Sequence, residues 1–318
     1  MIVIDGNGVA AKAFFGTHYN APSYNENLFY STCIKMFINI LSNLSELDNK
    51  VVICVDSPNW RKKLYPAYKA NRKELKDGSF YKEYIQSFHS LCADIKQSLP
   101  IGIVKRNNYE ADDLLAYFAK KESTSILVCC DRDMYQLYEP PRVQIYNFTK
   151  DQMIEINDPK LYLHIKICIG DSSDNIKPIM LRNKNNRAVM QFGEKSVPKY
   201  YDPSMPMSLD NSFWMTLNTS LEKCRKKALM DDSVVSKVTD TLELSTETLR
   251  EEIEKRYEFN KTLIDLNCSP VHKEEITYSI NKYDMKNVSD FFSYYTPDFW
   301  AGDFQAQRIQ GIMQRFGG

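Results

Sequence analysis

Five short runs of β-branched and aliphatic residues punctuate the first half of the chain: Ile2–Ile4, Val51–Val55, Ile101–Val104, Ile126–Cys129 and Val143–Tyr146. Between them, apolar residues recur at helical spacing over roughly Leu28–Leu47, Ser79–Leu99 and Glu110–Lys121, as expected of helices that bury one face. Strand–helix alternation of this kind predicts an α/β fold, a mostly parallel central sheet flanked by helices. From about Asp158 the pattern changes. Val and Ile runs thin out, Asn183–Arg187 reads as a loop, Val197–Asn211 as a connector, and Lys223–Tyr257 as a long charged helix. The expected organisation is an α/β domain over residues 1–165 and a C-terminal helical domain over 166–318.

Three of the predicted strands run into aspartate: Asp5, Asp56 and Asp131. In an open parallel sheet the carboxyl ends of the strands form the ligand-binding edge, so three carboxylates converge there. Asp133 follows Asp131 by two residues. Glu110-Ala-Asp112-Asp113 opens a helix after another strand, and Asp171-Ser-Ser-Asp174 sits at a further element boundary. Taken singly, each acid is an ordinary helix cap or turn residue. Together, carboxylates crowded into one cleft repel unless a cation neutralises them. Hard divalent ions suit carboxylate and water oxygens, and a pair of them suits phosphodiester hydrolysis.

Residues 60–76, WRKKLYPAYKANRKELK, place Arg61, Lys62, Lys63, Lys69, Arg72, Lys73 and Lys76 against one acid, with Trp60, Tyr65 and Tyr68 interleaved. A charge run is usually a solvated helix face. This one starts four residues after Asp56, and cations with aromatics suit a single-stranded path in which phosphates are gripped and bases stacked. Lys69 and Arg72, three apart, would share a helix face. A second basic stretch, Lys177, Arg182, Lys184 and Arg187, follows Asp171–Asp174 and could hold a duplex backbone.

Composition narrows the classes. Of 318 residues, 43% are hydrophobic, enough for a sizeable core, and 41 basic residues balance 41 acidic ones, so any nucleic-acid surface must be a local patch. Eight Cys without a C-x-x-C pair fit a reducing compartment. The first residues read as a strand, with no leader, and no apolar run approaches the ~20 residues of a membrane span. A soluble cytoplasmic protein is expected. Gly6-Asn-Gly8 after β-type residues is only a loose dinucleotide pattern, and His18, His89, His164 and His272 lack zinc spacing. A haloacid-dehalogenase-type phosphatase would need Asp-x-Asp where Asp5 is followed by Gly6 and Asn7. A PIN-like ribonuclease and a non-catalytic nucleic-acid-binding protein are the alternative readings.

The set IDGNG, CVD with WRKKLYPAYKANR, YEADDLLA, CCDRDMYQL and GDSSDNI resembles the phage and bacterial 5′-nucleases, which include the cellular flap endonucleases. The motifs match in order and spacing over about residues 1–178, with weaker similarity to phage members around Tyr257–Ser279. The resemblance implies a PIN-like 5′-nuclease fold and a 5′→3′ exonuclease and flap endonuclease. It would act on branched, nicked or RNA-primed duplexes with a 5′ end, with RNase H activity and a role in removing RNA primers during phage DNA replication. It implies two Mg²⁺ ions, Mn²⁺ substituting. Asp5, Asp56, Asp112, Asp113 and Asp131 would surround the first, Glu110 would hold its water shell, and Asp133, Asp171 and Asp174 would form the second site. A helical arch over about 59–78 would bring Arg61, Tyr68, Lys69 and Arg72 to the substrate, with Lys69 and Arg72 catalytic alongside Asp5 and Asp131. A duplex-binding hairpin-like segment would cover about 170–197. Most members carry there a glycine-rich hairpin that also binds a monovalent ion. Here no glycine occurs between Asn175 and Gly193, and the K⁺ site is not carried over. The resemblance further implies a monomer in the host cytoplasm that meets a single-stranded-DNA-binding protein through its C-terminal domain.

Overall fold

The computed structural model describes residues 1–18, 21–48, 50–72, 80–182, 188–191, 194–195, 197–199 and 246–317. The described chain divides into two compact units. The first comprises residues 1–64, 72–155 and 270–318, and the second residues 65–71 and 156–269.

The first unit is built on six strands: β1 (Ile2–Asp5), β2 (Val51–Val55), β3 (Gly102–Lys105), β4 (Ser125–Val128), β5 (Val143–Asn147) and β6 (Gln152–Ile154). Their order is β3-β2-β1-β4-β5-β6. The first five are mutually parallel, and β6 turns back antiparallel on β5. Every residue of β1 and β2 is buried, as a sheet covered on both faces requires. The helices are α1 (Gly6–His18), α2 (Glu26–Leu44), α3 (Tyr81–Ser98) and α4 (Ala111–Lys121). Asn25 caps α2 by accepting from the Leu28 N–H at 3.0 Å. The five expected strands and three expected helices all form, with ends shifted by a few residues. Helix α1 was not expected: its Gly6-Asn7-Gly8 start is poor in helix propensity.

Two further helices, α7 (Met285–Tyr295) and α8 (Asp303–Phe316), complete the same core. Phe291, Phe292, Ile309 and Met313 pack in one cluster with Ile34 and Leu41 of α2 and Ile95 of α3. The expected boundary at residue 165, with everything after it in one helical domain, is therefore corrected. The amphipathic faces of the last helices belong to the sheet unit, where they pack on the apolar faces of α2 and α3.

The second unit holds α5 (Pro159–Ile169), the antiparallel pair β7 (Met180–Arg182) and β8 (Ala188–Gln191), and α6 (Thr246–Ile264). Its core gathers Tyr68, Leu163, Ile167, Ile179, Tyr257 and Ile264. The Asn260 side chain donates to the carbonyls of Ile167 and Lys177, each at 2.9 Å, and so ties α6 to the end of α5 and the segment after it. Among the described residues no helix is long and apolar enough to cross a membrane. The expected loop Asn183–Arg187, most of the connector 197–211 and residues 223–245 of the expected charged helix lie outside the described residues.

Candidate active site

The strand order reverses between β1 and β4, the switch point at which open parallel sheets bind ligands. Asp5 is the last residue of β1 and lies beside Cys54 of β2, and Ile4 lies beside Val128 of β4. Asp56 directly follows β2 and Asp131 follows β4 by three residues. The sheet register thus brings three carboxylates from three neighbouring strands to one edge. Backbone groups fix their directions. Asp5 Oδ1 accepts from the Gly8 N–H at 2.9 Å. Asp56 Oδ1 accepts from the Ala111 N–H at 2.7 Å, and the Asp56 N–H donates to Asn7 Oδ1 at 2.7 Å. Asp131 Oδ1 accepts from the Asp133 N–H at 2.8 Å. A Cβ at Gly8 would overlap the Asp5 carboxylate, so glycine lets the first turn of α1 close over it.

The electrostatics carry the crowding. Burial pushes the Asp5 carboxyl up, the Asp56 carboxylate pushes it further, and Asp131 adds to this against the opposing Gly8 and Asn7 N–H groups; it rests at about 7. The Cys54 thiol is raised by burial and then by Asp5, Asp112 and Asp56. Cys129 is raised by burial and then by Asp5, Asp112 and Asp131. Asp5 and Asp112 therefore act on both thiols, joined by Asp56 on the β2 side and Asp131 on the β4 side. Oxygen donors with excess negative charge fit a hard divalent cation. Among the described residues no three Asp, Glu, His or Cys side chains close into a metal-sized cage. The fit is one of charge and donor type.

Two acids of the expected ligand set are engaged otherwise. Asp113 is fully buried (0% exposed) and is held by Arg61 through Nη1–Oδ2 and Nη2–Oδ1, both 2.9 Å. Its Oδ2 also accepts from the Glu110 N–H at 3.1 Å, so it caps its own helix. Glu110 lies 3.5 Å from Arg61 Nη1. Arg61 is itself only 2% exposed and stacks over Trp60. This corrects two expectations: Arg61 is not a surface cation for nucleic acid, and Asp113 faces an arginine instead of an open metal position. A guanidinium meets two acids here because its planar fork matches a carboxylate.

In the second unit, Gly170 ends α5 at φ 70°, where a Cβ would collide with the Ile176 carbonyl and its neighbours. The chain thus turns sharply into Asp171. Asp171 Oδ2 pairs with Lys166 Nζ at 2.7 Å, and its Oδ1 accepts from the Ser173 N–H and hydroxyl at 2.8 and 2.6 Å. Burial alone would raise Asp171, but Lys166 and Ser173 outweigh it and lower the carboxyl to about 2. Asp174 Oδ2 accepts from the Tyr68 hydroxyl at 2.8 Å and lies 3.8 Å from Lys69 Nζ. Tyr68 is 3% exposed, so the expectation of a ring free to stack on a base is corrected. Lys69 sits at φ 54°, and Arg72 ends a short 3-10 turn, Ala70–Arg72. The two do not share a continuous helix, because the left-handed residue breaks it. Lys177 is exposed. The Arg182 side chain and all of residues 73–79, 184 and 187 lie outside the description.

The model of the 5′-3′ exonuclease N-terminal resolvase-like domain matches residues 1–164, about half of the chain. The chain belongs to the 5′-3′ exonuclease family. Within it, Ribonuclease H of Enterobacteria phage T4 is 24% identical over 258 residues, covering 77% of this chain and 74% of the relative. A 5′-3′ exonuclease of Mycoplasmopsis pulmonis is 24% identical over 306 residues, covering 90% and 91%. The crystal structure of the T5 D15 protein co-crystallised with metal ions shares the fold at TM-score 0.51 and 14% identity, over 99% of this chain and 98% of that one.

Two polar residues were not among the expected site residues. Lys166 is the one lysine or acid in LYLHIKICI, five positions before its partner Asp171, and that isolation was the available signal. Glu274 bonds Tyr109 and Arg106. It alternates with Ile276, Tyr278 and Ile280 in an inward-facing row, a period-two pattern visible in the sequence.

Proposed function

We propose that the chain is a divalent-metal-dependent 5′→3′ exonuclease and flap endonuclease that hydrolyses phosphodiesters in DNA and RNA-primed duplexes. In a phage it would remove RNA primers during replication. What supports this reading is the gathering of Asp5, Asp56, Asp112 and Asp131 at the β1/β4 switch point in a member of the 5′-3′ exonuclease family. These four would hold the first Mg²⁺ ion, and Glu110 its water shell. When bound, Mg²⁺ ions supply Lewis-acid polarisation of the phosphate and a lowered pKa for water. Backbone N–H groups of Gly8, Ala111 and Asp133 keep three of the carboxylates aimed. Arg61 balances Asp113 behind them, so that Asp113 is a support. Asp171 and Asp174 stay with a second ion only by exchanging Lys166 and Lys69 for it. Lys69 and Arg72 are proposed as cations for the scissile phosphate. A protein partner that binds single strands, a monomeric state and a cytoplasmic location belong to the same reading.

The test is a cleavage series on labelled 5′-flap, nicked and RNA-primed duplexes with Mg²⁺, with Mn²⁺ and with EDTA. Release of 5′ products with either ion and none with EDTA is expected. Cleavage confined to single-stranded RNA would favour the PIN-like ribonuclease instead, and binding without cleavage a non-catalytic protein.

A further inference from the structure

After a 3-10 turn at Pro270–Lys273, the segment that leads to α7 is an irregular strap on the first unit whose residues alternate between half-buried and exposed. Its inward row is anchored along the way. The Ile276 N–H donates to the Tyr117 hydroxyl at 3.2 Å, Tyr278 packs edge-on against Phe118 with centroids 5.5 Å apart, and Asn281 donates to the carbonyls of Lys96 and Gln97. One inward position carries a charge. Glu274 accepts from the Tyr109 hydroxyl at 2.6 Å and from Arg106 Nε at 2.8 Å. Tyr109 is buried as a whole, and its hydroxyl meets Glu274 at a part-buried edge of the strap.

Arg106 and Tyr109 are the ends of one tight turn, closed by a Tyr109 N–H to Arg106 carbonyl bond of 3.2 Å, with Asn108 at φ 73°. That turn carries β3 into α4. Its Tyr109 carbonyl accepts from the Ser57 N–H at 3.0 Å, directly after Asp56. The next residue is Glu110, and the one after it, Ala111, donates to Asp56. Glu274 thus grips, from a part of the chain 165 residues away in sequence, the turn on which Asp56 and Glu110 are hung.

We propose that Glu274 is a positioning residue of the acidic site, through which the C-terminal strap fixes the Tyr109 turn and hence the Asp56 and Glu110 carboxylates. The proposal rests on the nuclease reading above. Groups that orient metal-binding acids from behind act on metal affinity as well as on rate. A residue that acts only through the Tyr109 turn should, on its loss, leave nucleic-acid binding alone.

The experiment uses the full chain and three variants: Glu274→Ala, Glu274→Gln and Tyr109→Phe. Mn²⁺ affinity is measured by electron paramagnetic resonance without nucleic acid, and single-turnover cleavage of a 5′-flap is measured with its half-saturating concentration. Glu274→Ala should weaken Mn²⁺ binding and the maximal rate together, by several-fold and by less than the ~10–100-fold of a group bonded to the ligand itself, with the half-saturating flap concentration unchanged. Glu274→Gln keeps an acceptor for the tyrosine and should recover much of both. Tyr109→Phe should reproduce the loss, and Tyr109→Phe with Glu274→Ala should be no worse than either alone. If Glu274→Ala does not fold, Tyr109→Phe and Glu274→Gln decide. Wild-type Mn²⁺ affinity and rate in Glu274→Ala or Tyr109→Phe, or losses that add in the double variant, would overturn the proposal. A wild-type chain that binds Mn²⁺ but cuts no flap would sink the nuclease reading, while the Mn²⁺ comparison would still judge Glu274.

Discussion

Arg61 meets Asp113 in a two-pronged ion pair, both contacts 2.9 Å, with neither side chain reachable by solvent. Removing one partner of a buried pair strands the other as an uncompensated charge, at a cost of ~3–5 kcal/mol. Arg61→Ala should therefore lower stability by about that amount in chemical denaturation. Arg61→Lys, lacking the planar fork, should lie between it and the wild type. A change below the scatter of the measurement would mean that the pair contributes nothing net to stability.

The acids at the switch point give the opposite signature. Asp131→Asn should nearly abolish Mg²⁺-dependent cleavage while leaving the melting temperature unchanged, since Asp131 is exposed and makes no core contact. Asp5→Asn should abolish cleavage and raise the stability of the metal-free protein, because it removes a buried charge that its neighbours oppose. Cleavage at the wild-type rate in either variant would remove that residue from the site.

Stability should follow pH in a way that metal reverses. Asp5 titrates at about 7 in the fold and near ~4 when unfolded. Between those values the folded state binds the extra proton, so metal-free stability should fall as pH rises from about 4 to about 7. Asp171, lowered to about 2, has the other sign: its stabilisation is present above the unfolded value and lost as pH falls toward 2. Denaturation at pH 4.5–7.5 with EDTA should show the decline, and excess Mg²⁺ should flatten it. Stability that climbs over that window in EDTA would contradict the shift at Asp5.

Gly8 makes a sharper steric test. The atom that alanine adds would fall on the Asp5 carboxylate, forcing it to turn away from its neighbours. Misplacing a catalytic group by an ångström costs ~100-fold. Gly8→Ala should lose about that much single-turnover rate although alanine favours helix more than glycine does. An active Gly8→Ala would show that Asp5 tolerates a second orientation.

The sheet and its acidic edge were legible because β-branched runs mark strands, and parallel pairing then dictates that Asp5, Asp56 and Asp131 emerge together. The basic segment was not. Arg61 and Tyr68 read like their neighbours Lys62 and Tyr65, and nothing local to a charge run tells which member turns inward. That choice was made by distant partners, Asp113 for one and Asp174 for the other. The unit boundary was illegible for the same reason. Met285–Tyr295 is amphipathic like the helices before it, and only the surface left open on α2 and α3 decides where its apolar face goes.

That last placement bears on biogenesis. The nuclease unit seals its core with Phe291, Phe292, Ile309 and Met313, residues that leave the ribosome after the second unit has been made. Contacts between α2 and α8 span most of the chain, and long-range closure of this kind is slow. Until it occurs, Ile34, Leu41 and Ile95 lack their cover, and chains in that state are prone to aggregate. Ribosome-arrested chains ending before α7 should stay protease-sensitive in the first unit, and protection should arrive only once α8 has emerged. Synthesis order would then double as a safety catch: a half-made chain would hold every carboxylate of the cleft before the last helices seal the core behind the sheet that aims them.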